Sequence, residues 1–89
     1  MNAVGYYNSE FAPLEELKIP ALDRGAYFGD GVYEAVRVDN HRFFALEEHL
    51  DRLEASLAFL RIPLSMPRAE LTSILQAVAD RVESDHQQL

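Results

Sequence analysis

One glycine-rich stretch dominates this 89-residue sequence, at residues 23–37: Asp23-Arg24-Gly25-Ala26-Tyr27-Phe28-Gly29-Asp30-Gly31-Val32-Tyr33-Glu34-Ala35-Val36-Arg37. It carries three of the four glycines in the chain. Glycine adopts backbone conformations that are closed to other residues, so the start of the stretch predicts a tight turn. The β-branched and aromatic residues that follow predict a strand over residues 32–38. Loops on a rigid scaffold often carry binding residues, so we expect a functional site where this turn meets the strand.

The predicted strand has two different faces. Side chains alternate across a strand, which places Tyr33, Ala35 and Arg37 together on one face. The opposite face consists of valines and Glu34. An acid among valines lies either at the exposed end of the strand or against a partner that pairs with it.

Short strands and turns surround this stretch. Val4–Tyr7 is predicted to be a strand, Asn8-Ser9 a hairpin turn, and Glu10-Phe11 part of a returning strand that Pro13 either ends or places at a sheet edge. Asp39-Asn40 predicts a second hairpin turn, with residues 41–44 as the returning strand.

Two helices are expected in the second half of the chain. Leucines recur at helical spacing over residues 46–60, so this helix is amphipathic, with Arg61 at its end. Ser65 is expected to cap a second amphipathic helix that has Pro67 in its first turn and extends to Val82. The polar tail beyond it is expected to fray. The predicted fold is therefore α+β, a single domain over residues 1–89 with a largely antiparallel sheet packed in two layers against two helices.

Composition excludes several classes of protein. The 15 acidic residues outnumber the 8 basic ones, which argues against nucleic-acid binding. No cysteine is present, and His41 and His86 have no neighbours at metal-ligand spacing, so no metal site is expected. The N-terminus lacks the pattern of a signal peptide and no apolar run is long enough to span a membrane. We therefore expect a cytoplasmic location.

Arg52 and Tyr33 are the candidate binding residues. His49 and Arg52 lie on one flank of the first predicted helix, where a guanidinium could bind a phosphate at two points with His49 in support. A solvated arginine paired with Glu48 or Glu54 is the alternative. The Tyr33 phenol could donate to a carboxylate or simply pack in the sheet.

The amino-acid sequences of two segments resemble motifs of a known family. Residues 23–25 and 28–34, together with His49-Leu50-Asp51-Arg52-Leu53, closely resemble the N-terminal domain of fold-type IV pyridoxal-phosphate enzymes, the class IV aminotransferases. That family includes D-amino-acid transaminases, branched-chain aminotransferases and aminodeoxychorismate lyases. The residues 29–34 are most similar to the D-amino-acid transaminase branch. The resemblance independently implies the two-layer architecture.

The resemblance also implies a function and a set of roles. The parent enzyme would be a homodimer that uses pyridoxal 5′-phosphate to transfer an amino group between a D- or branched-chain amino acid and a 2-oxo acid. Arg52 would contact the cofactor phosphate, with His49 beside it. Tyr33 would line the substrate carboxylate site, Ala35 would shape the pocket for the substrate side chain, and Arg37 would be a second anion contact or an exposed cross-strand partner. Asp23, Arg24 and Asp30 are expected to be turn scaffold.

The catalytic lysine is missing from the matched motifs. Transamination needs a lysine that forms a Schiff base with the cofactor, and Lys18 lies upstream of the glycine turn, where no family motif places that lysine. We therefore assign no catalytic residue and expect a second, lysine-bearing domain outside these 89 residues. The chain alone is expected to bind the cofactor weakly and to lack transaminase activity. A lyase of the same family and a free-standing, non-catalytic interaction module remain the alternatives.

Overall fold

Residues 3–22 and 31–89, which the computed structural model describes, form two small antiparallel sheets and two α-helices. Strand β1 (Val4–Tyr7) pairs with β2 (Glu10–Pro13), and a short 3₁₀ helix (Leu14–Glu16) follows. In the second sheet β3 (Arg37–Asp39) lies between β4 (Arg42–Phe43) and β5 (His86–Gln88). The helices are α1 (Leu46–Phe59) and α2 (Arg68–Asp80). The predicted α+β class with antiparallel pairing is confirmed.

Both hairpins turn on two residues with positive φ. The first turn has φ angles of 51° at Asn8 and 70° at Ser9, and the second has 51° at Asn40 and 62° at His41. Positive φ at both central residues is the signature of the type I′ turn, whose twist matches that of paired strands. The first turn is where it was predicted. The second lies one residue later than predicted, because Asp39 is still paired with Arg42.

The strand predicted over residues 32–38 is shorter than expected. Strand β3 begins only at Arg37, because residues 32–35 pair with no strand in the described part of the chain. Val36 is extended and exchanges two backbone hydrogen bonds with Leu89, with N···O distances of 2.7 and 2.9 Å. The expected alternation nevertheless holds, since Val36 and Val38 are buried whereas Tyr33 is exposed.

A small apolar core joins β3 to the two helices. Leu50 comes from the predicted leucine stripe and is 4% exposed, whereas Leu60 at the far end of that stripe is 46% exposed. The buried hydrophobic side chains of the described residues are Val36, Val38, Leu50, Val78 and Ala79. One end of the leucine stripe is therefore left uncovered, on the side where residues 32 and 33 approach α1.

The C-terminal tail does not fray as predicted. It forms β5, and the side chain of Gln87 donates a hydrogen bond to the carbonyl of Ala79 at the end of α2, with an N···O distance of 2.9 Å. The His41 Nδ1 donates to the same carbonyl at 3.0 Å. The polar composition of the tail was misleading because its backbone pairs with β3 and its glutamine satisfies a helix end.

The helix ends also differ from the prediction. Helix α2 begins at Arg68 after an extended Pro67, so Ser65 is not its N-cap. Arg61 lies beyond α1 rather than in its last turn, with φ at 57°. The N–H of Ile62 donates to the carbonyl of Leu57 at 2.9 Å and that of Arg61 to Ala58 at 3.1 Å, which is the Schellman arrangement. The left-handed position of this motif, usually glycine, is here occupied by arginine.

Arg68 connects the two helices electrostatically. Its guanidinium, at the start of α2, forms ion pairs with three acids of α1, which are Glu47, Asp51 and Glu54. The hydrogen bond with Glu54, followed by that with Asp51, raises the pKa of Arg68 above its usual range. These contacts link the start of α2 to the side of α1.

Several predictions lie outside the described residues. These concern the glycine turn at residues 23–30, including the scaffold roles of Asp23, Arg24 and Asp30. Within residues 3–22 and 31–89 no group of three His, Cys, Asp or Glu side chains is placed to hold a metal ion.

Over the same residues no helix combines the length and the apolarity needed to cross a bilayer.

Replacing Arg61 by glycine is expected to stabilise the chain. The left-handed conformation costs a residue with a Cβ roughly 1–2 kcal/mol, a cost that glycine avoids. Part of this advantage of glycine is offset because glycine has more conformational freedom in the unfolded state. We expect Arg61→Gly to raise the free energy of unfolding by about 0.5–1 kcal/mol in urea denaturation. Arg61→Ala keeps the strained φ and should change little. Destabilisation by Arg61→Gly would contradict this account of the helix end.

Candidate functional site

Three side chains meet between α1 and the extended segment that precedes β3. Arg52 donates from Nε to Oε1 of Glu34 at 2.6 Å and from Nη2 to Oε2 at 3.0 Å. His49 donates from Nδ1 to the same Oε2 at 2.6 Å. The Glu34 carboxylate therefore accepts three hydrogen bonds, two of them from one edge of a guanidinium.

The tautomer of His49 follows from these distances. Its Nδ1 also lies 3.2 Å from Nη2 of Arg52. Arginine nitrogens only donate, and a contact of 2.6 Å with a carboxylate requires a proton on Nδ1, so the two nitrogens are both donors. The contact between them is not a hydrogen bond. Both converge on Oε2 of Glu34.

Local structure explains how the three residues meet. His49 and Arg52 are three residues apart on α1 and so share a flank. Glu34 lies two residues before Val36, which backbone hydrogen bonds fix to Leu89, and on the same side of the extended segment. The side chains of Glu34 and His49 are 16% and 19% exposed, whereas that of Arg52 is 65% exposed. The Glu34 carboxylate is therefore largely shielded from water, whereas the Arg52 guanidinium extends from the cluster into solvent.

The hydrogen bonds from Arg52 and then His49 lower the pKa of Glu34 from its ordinary value of 4.5 to about 2. They outweigh the partial burial of the carboxyl group, which acts in the opposite direction. The hydrogen bond with Glu34 in turn raises the pKa of Arg52. Both members of the pair are therefore charged throughout the neutral range.

Arg52 lies at the margin of an open depression of about 460 Å³. Tyr33 lies in the same depression and is 85% exposed. The other residues that line it are Val32, Ala55, Ser56, Phe59 and Leu60. Within the described residues Nη1 of Arg52 has no hydrogen-bond partner, since Nε and Nη2 make its bonds to Glu34. A guanidinium edge beside a phenol and an apolar wall can bind an anionic ligand that has an apolar body.

The structure brings some of the predicted site residues together and separates others. Arg52, His49 and Tyr33 belong to one region. Ala35 is half-buried and is not among the residues that line the depression. Arg37 forms an ion pair with Asp39 on its own strand at 2.8 Å, and its side chain is 72% exposed.

The partner predicted for Arg52 is different from the one observed. Glu48 and Glu54, its neighbours on the helix, were the alternatives to a ligand. Arg52 instead pairs with Glu34, and Glu54 pairs with Arg68.

Sequence reasoning did not assign Glu34 to the site. The signal was present, since Glu34 is an acid on an otherwise apolar face and so required a partner. The flank that carries His49 and Arg52 was also visible. What local patterns do not encode is that a residue 15 and 18 positions earlier in the chain would fit between them.

The pH dependence of stability should reveal the Glu34 cluster. A carboxyl group whose pKa is lowered by folding stabilises the folded state above its unfolded pKa, and that contribution is lost as the pH falls through its folded pKa. We therefore expect the difference in unfolding free energy between the wild type and Glu34→Gln to be constant above about pH 5 and to shrink as the pH falls from 4.5 toward 2.

Urea denaturation between pH 7 and pH 2 measures this difference. Glu48→Gln is the matched control, because Glu48 is exposed on the same helix and lies one turn before Arg52. A difference that stays constant down to pH 2 would show that the charge of Glu34 is not what holds the cluster.

Comparison with known proteins identifies the family. The profile described as amino-transferase class IV matches residues 31–88, which is more than half of the chain. D-alanine aminotransferase of Bacillus licheniformis is 42% identical over 74 residues, which is 83% of this chain and 26% of that protein. D-alanine aminotransferase of Listeria monocytogenes serotype 4b (strain F2365) is 41% identical over 69 residues, covering 78% of this chain and 24% of that protein.

A more distant relative, D-alanine aminotransferase of Staphylococcus aureus (strain N315), is 35% identical over 75 residues, covering 84% of this chain and 27% of that protein. The chain thus spans about a quarter of the length of these relatives. The matched residues include the segment of Glu34 and the helix of His49 and Arg52. The chain therefore belongs to the class IV aminotransferase family.

Proposed function

We propose that this chain is the N-terminal part of a pyridoxal-phosphate-dependent aminotransferase that moves an amino group between an amino acid and a 2-oxo acid. The observation that carries the proposal is the placement of Arg52, held by Glu34 at the margin of a depression that also contains Tyr33. A guanidinium for a phosphate and a phenol for a carboxylate are the groups that such an enzyme needs on this side of its site.

The residues present fit a phosphate-bearing cofactor. Arg52 is 65% exposed and its Nη1 has no partner among the described residues, so it can donate to phosphate oxygens without losing Glu34. The open depression of about 460 Å³ beside it leaves room for an aromatic ring against Phe59 and Leu60. When bound there, pyridoxal phosphate would supply the electron sink for the α-carbon of the substrate.

Each residue has a distinct role in this proposal. Arg52 binds the cofactor phosphate, and His49 supports it through their shared partner Glu34. Tyr33 donates its O–H to the substrate carboxylate. Ala35, two residues along from Tyr33, shapes the pocket for the substrate side chain. We leave Arg37 outside the site because its Nε bonds Asp39.

The substrate is proposed to be a D-amino acid. Support comes from the names of the relatives, which are D-alanine aminotransferases at 35% to 42% identity. A branched-chain amino acid and the elimination reaction of an aminodeoxychorismate lyase are the alternatives within the family.

The rest of the enzyme would lie outside residues 1–89. Lys18 is the one lysine of the sequence and lies outside the depression, so the lysine that bonds the cofactor would come from a second domain. This agrees with a chain that spans about a quarter of its relatives. We further propose that the complete enzyme is a cytoplasmic homodimer and that these 89 residues alone lack transaminase activity.

A docking role for this chain has one observation in its favour. Phe59 and Tyr33 are 86% and 85% exposed, and both line the depression. In the enzyme the remainder of the protein would cover this surface, whereas in an interaction module a separate partner would cover it. Transfer of an amino group from D-alanine to a 2-oxo acid by the complete protein would decide for the enzyme, and release of product without use of a 2-oxo acid would decide for the lyase.

Loss of Arg52 should weaken cofactor binding through the phosphate. We expect Arg52→Ala to lower the affinity of the complete enzyme for pyridoxal phosphate by roughly 10- to 100-fold, because a charge-assisted two-point contact is removed. Affinity for pyridoxal, which has no phosphate, should change little. Fluorescence titration of the apoenzyme measures both.

Arg42→Ala is the control for Arg52→Ala. Arg42 is exposed on β4 and is not among the residues that line the depression. An equal loss of affinity for pyridoxal and pyridoxal phosphate in Arg52→Ala would contradict the role in phosphate binding.

Tyr33 should act on the substrate rather than on the cofactor. Tyr33→Phe removes the O–H donor but keeps the ring, so KM for the amino acid should rise about tenfold while the affinity for pyridoxal phosphate is unchanged. Steady-state kinetics with D-alanine measures the effect, and Tyr7→Phe on β1 is the control. A normal KM in Tyr33→Phe would remove Tyr33 from the carboxylate site.

A further inference from the structure

We infer that Glu34 is the positioning residue of the anion site. Its hydrogen bonds hold one edge of the Arg52 guanidinium so that the other donor edge is presented to a phosphate monoester. This inference rests on the proposed function, because the ligand it serves is the phosphate of the cofactor. It assigns a role to a residue that would not itself touch that ligand.

The geometry of the guanidinium supports the division into two edges. The Glu34 carboxylate accepts hydrogen bonds from Nε at 2.6 Å and from Nη2 at 3.0 Å. These two nitrogens form the side edge of the planar guanidinium. The end edge, formed by Nη1 and the second hydrogen of Nη2, points away from the carboxylate. Because the group is planar and rigid, fixing the first edge fixes the direction of the second.

Glu34 is itself held firmly enough to act as a support. Its Oε2 also accepts from His49 at 2.6 Å, and its side chain is only 16% exposed. Two residues later the backbone of Val36 is bonded in both directions to Leu89. Arg52 has a long, flexible side chain, and a support of this kind removes its rotamer freedom before a ligand arrives.

Glu34 could either position Arg52 for an anion or compete with the anion for Arg52, and the two roles predict opposite effects of removing Glu34 on anion affinity. If Glu34 merely occupied the place of the phosphate, its removal would free Arg52 and delete a nearby negative charge, and both effects would tighten anion binding. If Glu34 positions Arg52, its removal weakens anion binding although a negative charge is lost. The sign of the change therefore distinguishes the two.

The experiment is a titration of the full chain with inorganic phosphate, followed by the NMR resonances of the Arg52 guanidinium. Wild type, Glu34→Gln and Glu48→Gln are compared. Glu48 lies one turn before Arg52 on α1 and is exposed, so its replacement removes the same charge nearby without touching the grip on Arg52.

We expect Glu34→Gln to bind phosphate about tenfold more weakly than the wild type, a loss typical of removing a residue that orients a ligand-binding group. Glu48→Gln should bind phosphate as the wild type does or slightly more tightly. Unchanged or tighter binding in Glu34→Gln would overturn the inference, as would the absence of any phosphate-induced shift at Arg52 in the wild type.

If Glu34→Gln does not fold, the wild type alone tests the positioning role of Glu34. In the wild type the Arg52 Nε–H should remain protected from exchange with water at saturating phosphate, because the side edge of the guanidinium stays bonded to Glu34. Release of that proton to solvent when phosphate binds would mean that the ligand displaces Glu34, and the inference would be wrong.

Neither measurement uses the cofactor or the reaction. If the chain passes the phosphate tests but the complete protein fails to bind pyridoxal phosphate, the proposed function is refuted and the positioning role of Glu34 stays intact. A protein that transaminates but shows tighter phosphate binding in Glu34→Gln would refute the positioning role alone.

Discussion

The hydrogen bonds of the Glu34 carboxylate hold together the part of the molecule where a ligand would bind. Residues 32–35 pair with no strand in the described structure, so regular backbone hydrogen bonds do not fix them against α1. The three bonds from His49 and Arg52 to Glu34 do. Tyr33 is the adjacent residue, and so the phenol and the guanidinium of the proposed site owe their proximity to the same carboxylate.

Several acidic residues near the Glu34 cluster are paired with cations other than Arg52. The sequence is acidic, with a formal net charge of −7, which is a poor background for binding an anion. Three acids of α1 converge on Arg68, and Asp39 is paired with Arg37 and with His86. Pairing with cations elsewhere removes these carboxylates from competition for Arg52. Compared with a well-packed apolar pair in the same place, a partly buried ion pair such as Glu34 and Arg52 adds little net stability, although removing one of its partners is costly.

The sequence predicted features that depend on local periodicity. The leucine spacing placed α1 and put His49 and Arg52 on one flank, and Asn8-Ser9 marked the first turn. Features that depend on distant partners were missed. The strand over residues 32–38 failed because strand formation needs a neighbouring strand, and the tail became β5 because β3 accepts it 47 residues away. The partner of Glu34 was missed for the same reason: its spacing from Arg52 becomes a contact only after the segment folds back onto α1.

The protonation of the cluster limits what this part of the protein can do chemically. Arg52 and Tyr33 are donors, suited to binding anions. Glu34, with a pKa near 2 and both oxygens engaged, is far too weak a base to take a proton from carbon at neutral pH. His49 has its Nδ1 proton directed at Glu34. The pair of Glu34 and Arg52 is therefore suited to holding and orienting an anion rather than to transferring a proton. Under the proposed function the proton would be moved by the lysine that we propose for a second domain, which fits a chain that spans about a quarter of its relatives.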